Sequence, residues 1–133
     1  SIPLLHIADA TAAQLKADGV ETVGLLGTRF TMEQEFYKGR LTEKHGIRVL
    51  VPDESAQDVV HRVIYEELCQ GKVSDSSRQE YVKIIEDLSA GGAQAVILGC
   101  TEIALLVSQS DTTIPLYDTT AIHAAAAVKL ALA

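Results

Sequence analysis

The sequence is short of basic residues, of cysteine and of long apolar runs, and each shortage removes a class of function. Lysine and arginine total 11 against 18 aspartates and glutamates, a formal charge of −7 over 133 residues. Such a balance leaves no basic stripe to track phosphates, so no nucleic-acid partner is expected. No stretch approaches the ~20 consecutive apolar residues that cross a bilayer, and no basic-then-apolar leader pattern is present. The expected location is cytoplasmic, with no membrane partner. The two cysteines, Cys69 and Cys100, are too few for a disulfide framework and form no C-x-x-C pair. Histidines at 6, 45, 61 and 123 show no H-x-x-x-H spacing, so no structural metal is expected. The phosphate-cradling G-x-x-x-x-G-K-[ST] and dinucleotide G-x-G-x-x-G patterns are both missing.

What is present is a regular alternation. Hydrophobic residues make up 47% and charged residues 22%, an ordinary globular composition in a chain long enough for one domain and its core. Short apolar runs predict strands at 2–7, 22–27, 47–51, 95–98 and 114–117. Between them lie segments with helical spacing. One covers 9–16 with Asp9 as its N-cap. Another covers 31–44, with Met32, Phe36, Tyr37 and Leu41 near one face. A third covers 55–69, with Val59, Val63, Ile64 and Leu68 inward and Cys69 packed in the core. A fourth starts at Asp75 or Ser76, carries Tyr81, Ile84, Ile85 and Leu88, and stops at Gly91-Gly92. A short helix at 101–107 and an alanine-rich one at 120–132 complete the pattern. Wholly apolar strands separated by helices specify an open, doubly wound α/β fold, its parallel sheet covered on both faces. For the strands beginning at Thr22, Ile47, Ala95 and Ile114 the expected order is flavodoxin-like, 2-1-3-4.

Ile2-Pro3-Leu4-Leu5 followed by an alanine-containing helix echoes Ile114-Pro115-Leu116-Tyr117 followed by another. The two units are spaced like the closing pieces of successive domains. The expectation is that residues 1–18 close a first domain absent from this chain and that 19–133 form a second. Chance likeness between two common α/β units is the alternative.

Open α/β sheets bind ligands beyond the C-terminal ends of their strands, where helix N-termini offer free N–H groups. Three segments end there with polar residues: Gly27-Thr28-Arg29-Phe30-Thr31, Gly99-Cys100-Thr101-Glu102 and Asp118-Thr119-Thr120. A cysteine at a strand end is either a small buried hydrophobe or, at a helix N-terminus, a thiol drawn toward thiolate. Gly99 allows close approach of a ligand. Thr101 can hold a carboxylate or cap the helix, and Glu102 can orient the thiol, relay a proton or complement the helix dipole. Thr28 and Thr31 can grip an anion or serve as turn and capping residues. Asp118 and Thr119 either face the cleft or cap the last helix, Arg29 either steers an anion or is solvated, and His123 reads as structural.

These motifs, Val23-Gly24-Leu25-Leu26-Gly27-Thr28, Ala95-Val96-Ile97-Leu98-Gly99-Cys100-Thr101-Glu102 and Ile114-Pro115-Leu116-Tyr117-Asp118-Thr119-Thr120, resemble the aspartate/glutamate racemase family. The likeness runs over essentially the whole chain and is strongest to the aspartate-type and broad-specificity bacterial members. It implies a flavodoxin-like half of a two-domain racemase with the site between the domains, no cofactor, and one cysteine from each domain exchanging the α-proton of an amino acid. Cys100 matches the second-domain cysteine. Thr101, Thr28 and Thr31 match positions that hold the substrate's carboxylate or amino group. Glu102 stands where glutamate racemases carry histidine. Aspartate-specific members place a lysine after the helix containing Tyr65-Glu66, and here Ser74 falls there, with Lys72 two residues earlier; this moves the expectation toward glutamate or a broad range. The first-domain Cys-Asn-Thr motif is not in the chain, so the partner the resemblance implies is the missing first domain. Full-length relatives are homodimers, and the chain alone is expected to be inactive and to self-associate. The competing classes are a non-catalytic anion-binding α/β module and other superfamily members: hydantoin racemase, maleate isomerase or malonate decarboxylase.

Overall fold

The computed structural model describes residues 4–28, 39–99, 102–119 and 122. Their elements run α1 (Leu4–Ala17), β1 (Thr22–Leu26), a π-helical turn (Arg40–Lys44), β2 (Arg48–Leu50), α2 (Glu54–Glu66), a 3-10 turn (Leu68–Gln70), α3 (Asp75–Ala90), β3 (Ala95–Leu98), α4 (Ile103–Leu106), a second 3-10 turn (Gln109–Asp111) and β4 (Leu116–Asp118). All strand pairings are parallel and the sheet has the order β2-β1-β3-β4, as the sequence led us to expect.

β1 and β3 are the central strands, and their side chains alternate between two cores, as a period of two requires. Val23, Leu25, Ala95 and Ile97 pack on one face with Ala12 and Leu15 of α1, Leu41 and Ile47. Leu26, Val96 and Leu98 pack on the other with Val60 and Ile64 of α2, Tyr81, Ile85 and Leu88 of α3, and Ile103 and Leu106 of α4. Gly24 falls on this second face by the same alternation, where a Cβ would lie 2.8 Å from Leu88 Cδ1 and 3.2 Å from Val96 Cγ2. α3 therefore lies flush on the middle of β1.

α2 and α3 form an antiparallel hairpin. Ala56 and Ile84 line one hollow, Tyr81 Oη donates to Val60 O at 2.6 Å, and Ser77 Oγ donates to Glu67 at 2.7 Å. α3 has 16 residues against four in β3. At ~1.5 Å per helical and ~3.3 Å per strand residue, its first half must overhang the C-terminal edge of the sheet. Asp53 caps α2 by accepting from Ala56 N at 2.9 Å, and that bond first, then the Ser55 hydroxyl, lowers its carboxyl below the usual range. Ser74 caps α3 by accepting from Ser77 N at 3.1 Å. α1 ends in paired bonds, Val20 N to Leu15 O and Gly19 N to Lys16 O, with Gly19 at φ +75°.

Four expectations are corrected. Leu4 onward, read as part of a strand at 2–7, is helical, the first turn of α1; a short apolar run without a neighbouring strand continues a helix as readily as a sheet. Asp9, expected as an N-cap, instead lies inside α1 and accepts from His45 Nε2 at 2.8 Å. Cys69 is exposed rather than packed in the core. α2 stops at Glu66 and the chain tightens into a 3-10 turn, which turns Leu68 inward and Cys69 out. The helix expected at 101–107 is the single turn Ile103–Leu106. The stretch 31–38 and the alanine-rich segment with His123 lie outside the described residues, as does Arg29. Among the described residues no helix is long and apolar enough to cross a membrane.

Candidate active site

β1 and β3 are hydrogen-bonded neighbours whose outgoing connections leave in opposite directions, β1 toward β2 and β3 toward β4. The C-terminal ends of this pair mark the switch point of the sheet, where ligands of open α/β folds bind. Gly99 N donates to Leu26 O at 2.7 Å, so the pairing runs to the last residue before both loops. Thr119, buried after β4, donates its hydroxyl to Leu98 O at 3.0 Å and ties a third strand end to the same point. That bond holds β4 to β3.

Of the residues assigned to the site, Thr28 and Glu102 are described. Thr28 is half-buried, two residues beyond β1, and Glu102 is half-buried immediately before α4. Cys100, Thr101 and Thr31 lie outside the described residues. Gly99 and Glu102 stand on either side of Cys100 and Thr101, at the end of β3 and the start of α4. With one turn, α4 supplies local N–H groups but little summed dipole. Asp118 ends β4, in register with Leu98.

Besides a hollow of about 320 Å³ beside Arg78, Lys83, Glu86 and Asp111, two more among the described residues lie elsewhere. One of about 300 Å³ borders edge strand β2, beside Pro52, Asp53, Asp87 and Gly91. The other, about 500 Å³, opens at the N-terminal edge beside Lys16, Glu21, His45 and Arg48. Among the described residues no three His, Cys, Asp or Glu side chains are grouped as metal ligands.

One buried polar residue on α2 escaped the sequence reading. Gln57 is buried on α2, its Nε2 donating to Pro52 O at 2.8 Å. Its Oε1 is buried and has no hydrogen-bond partner. The available signal was a glutamine three residues before Val60 and seven before Ile64, on the apolar stripe of the helix.

A family model described as Asp/Glu/Hydantoin racemase matches residues 1–127. A Yersinia pestis candidate Asp/Glu racemase superposes with a TM-score of 0.93 at 58% identity, covering 97% of this chain and 56% of that one. An aspartate racemase homologue from Pyrococcus horikoshii OT3 gives 0.88 at 36% identity over 96% of this chain and 55% of its own. An uncharacterised protein from the pnlA 3′ region of Pectobacterium carotovorum subsp. carotovorum is 30% identical over 112 residues, 84% of this chain and 73% of that protein. The chain thus spans about half the length of the solved structures it matches.

Proposed function

The chain belongs to the Asp/Glu/hydantoin racemase family, and from that premise we propose that it is one half of a cofactor-independent amino-acid racemase in which Cys100 is one of two acid/base thiols. The observation that carries the reading is the switch point. Gly99 N bonded to Leu26 O joins the ends of β1 and β3, with Thr28 two residues beyond the one and Glu102 before α4 beyond the other.

Inverting an α-carbon requires a base on one face and an acid on the other, each with a pKa near working pH. A thiolate takes the α-proton, the electron pair passes into the carboxylate as enolate-like charge, and a thiol on the opposite face returns a proton. Hydroxyls of Thr28, Thr31 and Thr101 hold the carboxylate while that charge builds, and Glu102 orients or relays protons for Cys100. One thiol cannot serve both faces. The second therefore comes from a first domain, which 1–18 close, with 19–133 forming the other, and the isolated chain is inactive. The full-length enzyme is a cytoplasmic homodimer acting on a small amino acid. Its substrate is glutamate or a broad range rather than aspartate alone, since Ser74 stands where a lysine would meet an aspartate side chain and its hydroxyl caps α3.

The test is exchange in deuterium oxide. Full-length enzyme with L-glutamate or L-aspartate should wash deuterium into Cα and release the D-enantiomer. Cys100→Ser should slow both by at least about a hundredfold, the scale of one lost general acid/base. Retained activity removes the role given to the thiol. Carboxylate binding with no exchange returns the anion-binding module.

A further inference from the structure

Charge that the fold leaves unspent gathers around the hollow of about 500 Å³ at the N-terminal edge of the sheet. Its volume is within the ~300–1,000 Å³ common for small-ligand sites. Thr22 and Arg48, the paired first residues of β1 and β2, line it together with Glu21. The end of α1 adds Lys16 and Gly19, and His45 and Gly46 follow from the π-helical turn. Both glycines have positive φ, +75° and +69°, which glycine adopts without strain. A Cβ on either would meet nothing within 4 Å, so the hollow is open beside them.

The backbone N–H groups here are committed. Glu21 and Thr22 donate to Gln94 Oε1, Arg48 to Glu21 O, Gly19 to Lys16 O and Gly46 to Thr42 O. The charged side chains are not. Lys16, Glu21 and Arg48 are exposed, and among the described residues none of them makes an ion pair or a side-chain hydrogen bond. His45 differs, since its Nε2 is held by Asp9 at 2.8 Å. Asp18, the other carboxylate close by in sequence, is spent on Tyr117 and Gln14. The unspent set lining the hollow is thus two cations and one carboxylate, a local positive excess in a chain of charge −7.

A dicarboxylic α-amino acid carries the mirror of that set, with two carboxylates and one ammonium. Arg48 offers a carboxylate a planar fork and Lys16 a compact point charge, while Glu21 can accept only from the ammonium. We propose that this hollow binds an acidic amino acid, glutamate or aspartate, its two carboxylates on Lys16 and Arg48 and its α-ammonium on Glu21. The site needs none of the proton-transfer chemistry at the opposite edge of the sheet, where Thr28 and Glu102 follow β1 and β3.

Amide NMR of the isotope-labelled full-length enzyme tests this, with L-glutamate as probe and glutarate, which lacks the ammonium, as comparison. The Gly19 and Gly46 amides should shift saturably with glutamate, and binding should weaken as salt is raised, because the charges are exposed. Arg48→Gln should raise the dissociation constant read at those amides by about threefold for both probes, the scale of one screened charge pair. Glu21→Gln should separate the probes, weakening glutamate and tightening glutarate, whose carboxylates Glu21 repels. Both substitutions fall on exposed side chains without partners, so the variants keep the fold. Glycine amides that ignore glutamate overturn the proposal, as does an Arg48→Gln that moves neither probe. A Glu21→Gln that moves both probes the same way, or neither, overturns it too, the hollow then attracting anions without selecting an amino acid. A wild-type enzyme that exchanges no α-hydrogen overturns the racemase reading and leaves this site standing.

Discussion

Two glutamines, one before β3 and one on α2, do opposite things with the side-chain amide. Gln94, just before β3, has its Oε1 filled twice, by Glu21 N at 2.7 Å and Thr22 N at 3.0 Å, and its backbone N–H donates to Thr22 O at 2.8 Å. It is exposed, yet it closes the start of the two central strands. Gln57, on α2, is buried and keeps its Oε1 idle. Burial is therefore a poor guide to which polar group serves the fold. The better guide is whether each donor and acceptor has been spent within the molecule.

The largest stability effect expected from this contrast is at the closed end. Gln94→Ala leaves two backbone N–H groups to water and unpins the start of β1 from β3. The loss should be about 1–2 kcal/mol, the net worth of two partly exposed hydrogen bonds. It should appear as a lower urea midpoint at unchanged slope, while KM and kcat of the full-length enzyme hold. A stable Gln94→Ala, or one that fails in catalysis without losing stability, breaks the contrast.

Thr119 sharpens the same point from the other side. It sits at the crevice end, but its hydroxyl is committed to Leu98 O. If commitment rather than location decides, Thr119→Val should behave like Gln94→Ala, losing stability while KM holds. The expected cost is about 1 kcal/mol, one hydrogen bond whose acceptor is left wanting, read by thermal or urea unfolding. A rise in KM without a loss of stability would show that Thr119 serves the ligand after all.

The repeating features were legible in the sequence. Val23 to Leu26 and Ala95 to Leu98 read as fully buried strands, and their order followed from the alternation of strands with crossovers. The switch point carrying Thr28 and Glu102 was legible for the same reason, since it depends on strand order alone. Features that depend on phase or on a distant partner were not. Leu4 onward could continue a helix or start a strand, and Cys69 turned outward because the helix tightened just before it. Gln94 meets Glu21 and Thr22 across more than seventy residues, and His45 meets Asp9 across 36. Periodicity reports the face a residue occupies, not the atom it finds there.

The smallest effect belongs to a third link, beside the closed end. Tyr117 on β4 donates its hydroxyl to Asp18, just past α1. Burial first, then the bond to Asp18, pushes the Tyr117 hydroxyl up to about 12 from 10.0, while the bond from Tyr117, then that from Gln14, lowers the Asp18 carboxyl below 3.8. The two signs bound a window. A depressed carboxyl stabilises the fold above its unfolded value and loses that contribution as pH falls through the folded one, below 3.8. A raised phenol stabilises below its unfolded value and loses that contribution as pH climbs from 10.0 toward 12. The stability gap between wild type and Tyr117→Phe should therefore be flat from about pH 5 to about pH 9 and narrow on both sides. Because solvent screens an exposed carboxylate, the gap should be smaller than that of Gln94→Ala. Urea unfolding across pH measures it. A gap that stays unchanged into acid would mean that the bond to Asp18 contributes nothing to it.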